Sequence, residues 1–173
     1  DMTSKERDDV TRQIIDSMNK SDVAVYCIMD YWTFDGYFEI RSFLRRNPEV
    51  ECNAQILPGI ELRVDAPSKK RLNVHAILSD QLTEQQIRDF KGQLRLFGSK
   101  RALSDEALQE FARGLDGGKA KHYGYGNPDE LDDDKLTELG FDTAEITRES
   151  LEDAIEQLPK NTCLIMLAYD THG

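Results

Sequence analysis

Val23-Ala24-Val25-Tyr26-Cys27-Ile28-Met29 is an unbroken apolar run of seven residues, too short for a stable helix and rich in strand formers. Such a run reads as a strand covered on both faces. Upstream, Thr3-Ser4-Lys5-Glu6 opens a pattern in which Val10, Ile14, Ile15 and Met18 recur at three- and four-residue spacing, which predicts one amphipathic helix behind a capping box. Helix followed by covered strand is the start of an α/β unit.

Working outward, the loop Asp30-Tyr31-Trp32-Thr33-Phe34-Asp35-Gly36 leads into a second helical pattern with Phe38, Ile40, Phe43 and Leu44, ended by Asn47-Pro48. Pro58-Gly59 predicts a turn into a strand over 60–64, and residues 72–78 are the third strand candidate. The connection Ala66-Pro67-Ser68-Lys69-Lys70 is too short for a helical crossover, so these two strands are expected to pair antiparallel. Thr83 with Gln86 spells a capping box for a helix bearing Ile87, Phe90, Leu94 and Phe97, and Ser104 starts a further helix with Leu108 and Phe111. Residues 114–134, with their Gly pairs and acidic run, lack periodicity and read as a long surface loop or lid. Leu136, Leu139 and Phe141 predict a short helix; Thr147 begins another with Leu151, Ala154, Ile155 and Leu158; Cys163-Leu164-Ile165-Met166-Leu167-Ala168 is the last strand.

A chain of 173 residues suits a single domain spanning 1–173. Its 22 basic and 33 acidic residues give a net charge of −11, which excludes unaided, non-specific attraction to a phosphate backbone or an anionic membrane. A local groove or a metal-bearing pocket leaves a nuclease open. No apolar run approaches the roughly 20 residues that cross a bilayer, and the charged opening DMTSKERDD lacks the apolar segment of a signal peptide. Cytoplasm, and no membrane partner, is the expectation. Cys27, Cys52 and Cys163 are too widely separated to suggest a disulfide framework.

Polar residues gather near the ends of the strand-like runs: Asp30 after the first, Glu61 and His75 within the middle pair, Asp170 and His172 after the last. Loops converge above a rigid core at the C-terminal edge of parallel α/β sheets. Carboxylates and imidazoles are ligands for zinc, manganese or iron, which lower the pKa of bound water and neutralise a phosphoryl transition state. The five residues together are therefore a candidate metal site for phosphoester hydrolysis. Each also has a plain structural alternative: Glu61 as a partner of Arg63, His75 as a hydrogen-bonded core imidazole, Asp30 as a loop cap, Asp170 and His172 as turn residues. Trp32 and Phe34 read as packing anchors. No side chain stands out as a general acid, and P-loop, CxxC, HExxH and nucleophile-elbow motifs are absent from the sequence.

Three segments, SDVAVYCIMDYWTFDGYFEI at 21–40, LPGIELRVD at 57–65 and RLNVHAILSDQLTEQQI at 71–87, together resemble the PHP (polymerase and histidinol phosphatase) domain. The likeness is greatest to the divergent form at the N-terminus of TrlF-like ATPase proteins linked to nucleic-acid processing or phage defence. It covers residues 10–90 in order and spacing; beyond residue 97 it rests on a helix, a strand and the final YDTHG.

The resemblance implies a distorted β/α barrel with a mostly parallel sheet and outer helices, binding divalent Mn, Fe or Zn at the strand ends. It implies metal-dependent hydrolysis of phosphoesters, nucleic acid included, by a phosphoesterase or nuclease. Its metal ligands would fall on Asp30, Glu61 and His75, with Asp170 or His172 supplying the strand-end position. An ATPase domain of the same or another chain is the implied partner. The sequence departs from the family pattern in three places: no His-x-His precedes Asp30, Tyr31 stands where the family has histidine, and Asp170-Thr171-His172 falls at an earlier position than the family's final Asp-x-His. These departures imply a fragment, an incomplete barrel, and a second possible role as a non-catalytic scaffold in a defence or repair assembly.

Overall fold

A computed structural model describes residues 3–67 and 72–168. Helix α1, Ser4–Asn19, starts at the expected capping box, with the Thr3 side chain accepting from Glu6 N–H and Glu6 reaching back to Thr3 N–H. Strand β1 is Val25–Tyr31, helix α2 is Asp35–Arg46, β2 is Gln55–Val64 and β3 is Leu72–Leu78. Then come α3, Glu84–Gln93, again behind a capping box at Thr83 and Gln86, and α4, Asp105–Arg113, capped by Ser104. Helices α5, Gly117–His122, and α6, Asp133–Thr143, follow, then α7, Arg148–Glu156, and β4, Cys163–Leu167.

The described strands form one mixed sheet in the order β1-β2-β3-β4. β1 and β2 pair parallel, while β2–β3 and β3–β4 pair antiparallel, so β1, β2 and β4 run one way and β3 is reversed. This is an α/β fold with helices packed against the sheet. Among the described residues the sheet is open: no further strand pairs with the outer edge of β1 or β4.

β2 runs straight through Pro58-Gly59, where the sequence suggested a turn. β3 reaches only as far as Gly59, opposite Ile77, so Pro58 lies where β2 has a neighbour on one side alone. That is the setting in which a strand tolerates a missing N–H. Gly59 is needed for a different reason: a Cβ there would overlap Cys27 Sγ and come within 2.8 Å of Met29 Cε on the adjacent strand.

Side chains alternate between the faces of a strand, and here the two faces have different fates. Ile56, Ile60, Leu62 and Val64 of β2, with Val74, Ala76 and Leu78 of β3, are buried in one cluster with Ile40 and Phe43 of α2, Ile87 and Phe90 of α3, and Leu151 and Ala154 of α7. Phe34 meets Phe90 edge to face at 6.2 Å, and Trp32 and Phe34 are both fully buried, as packing anchors should be.

The segment 114–134 is not a structureless lid. It holds α5 and a 3-10 turn at Pro128–Glu130, and its Ala120 joins Ala112, Leu136 and Leu139 in a second small core. Pairing of α4 with α6 supports this layer. Gly140 permits it, because a Cβ there would stand 2.9 Å from both Cβ and the carbonyl oxygen of Leu108. Helix caps by Asp116, Asn127 and Asp132 were the available signal, masked by the glycines between them.

No helix among the described residues is long and apolar enough to cross a membrane.

Candidate functional site

The ladder register sorts the residues singled out from the sequence. Glu61 lies directly opposite His75, and Glu61 lies opposite Tyr31 on the other side. Directly paired residues share a face, so Tyr31, Glu61 and His75 stand in a row across the face opposite the main core, which α6 reaches at the Tyr31–Arg63 end. His75 Nε2 and Glu61 Oε2 are 3.1 Å apart, within hydrogen-bond distance. Arg63 follows two residues along, with its guanidinium 5.9 Å from the Tyr31 ring centroid and Nη1 donating to the Phe141 carbonyl.

Asp30 goes the other way. It is paired with Ile60, on the helix-covered face, one residue out of phase with Glu61. Its Oδ2 accepts from Gly36 N–H at 2.8 Å, and a Cβ on residue 36 would lie 2.9 Å from both carboxylate oxygens. Burial pushes the Asp30 carboxyl above its ordinary range; the Gly36 N–H pulls it back and Asp35 adds to the rise. It caps the loop before α2, the structural role weighed for it above. Asp170 and His172 lie outside the described residues.

The expected metal centre is therefore corrected. Among the described residues no group of three or more His, Cys, Asp or Glu side chains is placed to hold a metal ion. The two-residue period of a strand puts Asp30 and Glu61 on opposite faces, and tyrosine fills the third place in the Glu61–His75 row. Among the described residues, the expected Mn, Fe or Zn cofactor and the metal-binding hydrolase, phosphoesterase or nuclease built on it therefore have no site.

Above the C-terminal ends of β1 and β2, the end of α6 closes over the sheet. The Phe141 carbonyl accepts from Trp32 Nε1 at 3.1 Å and from Arg63. Trp32 holds a left-handed backbone, φ 61°, a conformation costly for a bulky residue; its buried ring and its Nε1 hydrogen bond hold it there. Tyr125 donates to Asp142 Oδ2 at 2.9 Å, and burial, with Asp142 beside it, pushes its hydroxyl up to about 12. The sequence reading missed Arg63, Phe141 and Tyr125 as a group. The signal for Arg63 was its place two residues beyond Glu61, on the same strand face.

Apolar residues lie on the same face. Leu57, Ile77, Leu164 and Met166 share it with the Glu61–His75 row by register. In β4, Leu164 is 56% exposed, Ile165 37%, Met166 48% and Leu167 70%, so the edge strand is apolar and exposed on both faces. The uncovered face also carries Asn73, opposite Arg63, whose buried Oδ1 has no hydrogen-bond partner.

No protein-family model matches the sequence, and no curated protein matches it. Among solved structures, a candidate metal-dependent phosphoesterase from Bifidobacterium adolescentis aligns with a TM-score of 0.42 and 11% identity, over 91% of this chain and 60% of that one. It is a distant and partial structural likeness, and the present chain spans 60% of that protein's length.

Proposed function

We propose that the chain is a non-catalytic binding module, a divergent and incomplete PHP-type barrel whose uncovered face and β4 edge are completed by strands of an ATPase-bearing polypeptide. One observation carries this reading: among the described residues β4 stands at the edge of the sheet, with apolar side chains exposed on both faces. A strand of that composition fits the interior of a covered sheet. Proteins that expose an edge blunt it with charge, proline or a bulge, and Cys163–Leu167 has no charge and no proline.

The occupant is an extended segment that hydrogen-bonds to the outer edge of β4 and brings apolar side chains to cover Leu164 and Met166. Strand addition draws its affinity from main-chain hydrogen bonds and its specificity from alternate side chains. Selection of a polypeptide over a nucleic acid follows from the chemistry of β4, which carries no charged side chain in a chain of net charge −11. The ATPase domain as partner, and membership of a TrlF-like assembly, come from the sequence resemblance.

The test places a photo-cross-linking benzoylphenylalanine at Leu164, and separately at exposed Glu152 on α7 as a control, in the protein expressed in its native host. An adduct at 164 with an ATP-binding polypeptide, lost when Met166→Lys is added, supports the proposal. No adduct at 164, a homodimer adduct, or equal adducts at 152 and 164 overturns it.

A further inference from the structure

A cavity of about 320 Å³ opens between α1, β1 and α2, on the side of the sheet away from the proposed docking face. Val10 and Ile14 of α1, Ile28 of β1 and Ile40 of α2 supply hydrocarbon walls, and the Asp30 carboxylate lines the same space. Concave, mostly apolar spaces of this size with a few placed polar groups are the usual form of small-ligand sites.

The charges in the cavity are not equivalent. Glu39 is within 3.7 Å of Arg46 and has its counter-charge. Asp30 makes no ion pair among the described residues, and its one described hydrogen bond, from Gly36 N–H, goes to Oδ2. A carboxylate set among isoleucines is costly unless it is paired. Gly36 deepens the recess, since any Cβ at 36 would press against both carboxylate oxygens. Arg7 also lines the cavity and is the chain's own rival for the Asp30 charge.

We propose that this cavity binds a small primary alkylammonium, with the ammonium on Asp30 and the alkyl body against Val10, Ile14, Ile28 and Ile40. A cationic head answers the unpaired carboxylate, and a short hydrocarbon body answers the walls. The site is independent of the docking face and of what covers β4.

Titration of the 15N-labelled protein with n-butylammonium tests it, read at the Gly36 amide, which donates to Asp30. A saturable Gly36 shift is expected, with 1-butanol weaker by about tenfold or more, the size of a single charge-assisted contact. Asp30→Asn keeps an acceptor for Gly36 and should lose affinity by a similar factor. Ile14→Trp, which fills the apolar wall and leaves Asp30 in place, should abolish the shift. An unshifted Gly36, equal affinity for 1-butanol, unchanged affinity in Asp30→Asn, or binding that appears only in Arg7→Ala would each overturn the proposal.

Discussion

On the helix-covered face β2 presents Ile60, Leu62 and Val64, all buried; on the other face the same strand presents Leu57, Glu61 and Arg63, all only partly buried. The neighbouring strands extend the contrast. Val74, Ala76 and Leu78 of β3 are buried, whereas Asn73, His75 and Ile77 are not, and in β4 the contrast fails because both faces are exposed. One face is a finished core; the other joins a polar row, Glu61, Arg63, Asn73 and His75, to the exposed apolar residues of β4. Hydrophobic residues are common on protein surfaces, but a contiguous apolar patch on a sheet marks an interaction site.

This comparison is open to attack by mutation. The largest effect is expected from Trp32→Ala, which empties a fully buried site and removes the hydrogen bond to Phe141. It should cost about 3–5 kcal/mol in urea unfolding. Leu62→Ala on the finished face should cost about 2–5 kcal/mol, whereas Met166→Ala on the open face should change stability by about 0.5 kcal/mol or less. Equal losses at 62 and 166 would mean that the open face is already buried in solution. Gly140→Ala probes the second core. Its Cβ would meet the Leu108 backbone, and a loss of about 1–3 kcal/mol is expected, together with faster hydrogen exchange in α4 and α6.

A smaller effect separates the two carboxylates by pH. The folded-state pKa of Asp30 is raised by burial, so its contribution to stability is present below the ordinary carboxylate pKa and is lost as pH rises through the raised folded value. Asp30→Asn should therefore gain stability relative to the parent protein as pH increases across that window, by chemical unfolding at a series of pH values. A difference that shrinks with rising pH would place Asp30 in an ion pair. A small effect is also expected at the Glu61–His75 pair, where Glu61→Gln keeps an acceptor for His75 and should cost about 1 kcal/mol or less. Addition of Zn or Mn, or of a chelator, should leave the thermal midpoint unchanged. A metal-dependent rise lost in both Glu61→Gln and His75→Ala would restore a metal centre to the open face.

Much of the fold was legible because its signals are local. Thr3 with Glu6 and Thr83 with Gln86 form the capping boxes they spell, Ser104 and Thr147 cap their helices, and the short 66–70 connection does join an antiparallel pair. The expectation of full burial for the 23–29 run was not met, since no residue of β1 is buried. Among the described residues β1 has a neighbour on one side only, which its own residues do not encode. The candidate site was legible residue by residue but not as a constellation. Glu61 and His75 meet because a register links β2 to β3, and Asp30 is absent from that meeting because it sits one residue out of phase.

By itself, then, the sequence determined the starts of the helices with a capping box or Ser/Thr cap, most of the strand runs, and that the chain is acidic and lacks a bilayer-length apolar run. These follow from backbone capping, side-chain spacing and charge count, which act within a few residues. Only the tertiary structure decided which residues share a face, that 114–134 carries its own small core, that Phe141 seals the strand ends, and that β4 stands at an edge. These depend on register and on contacts between distant segments, and a one-residue change of phase exchanges one face of a strand for the other.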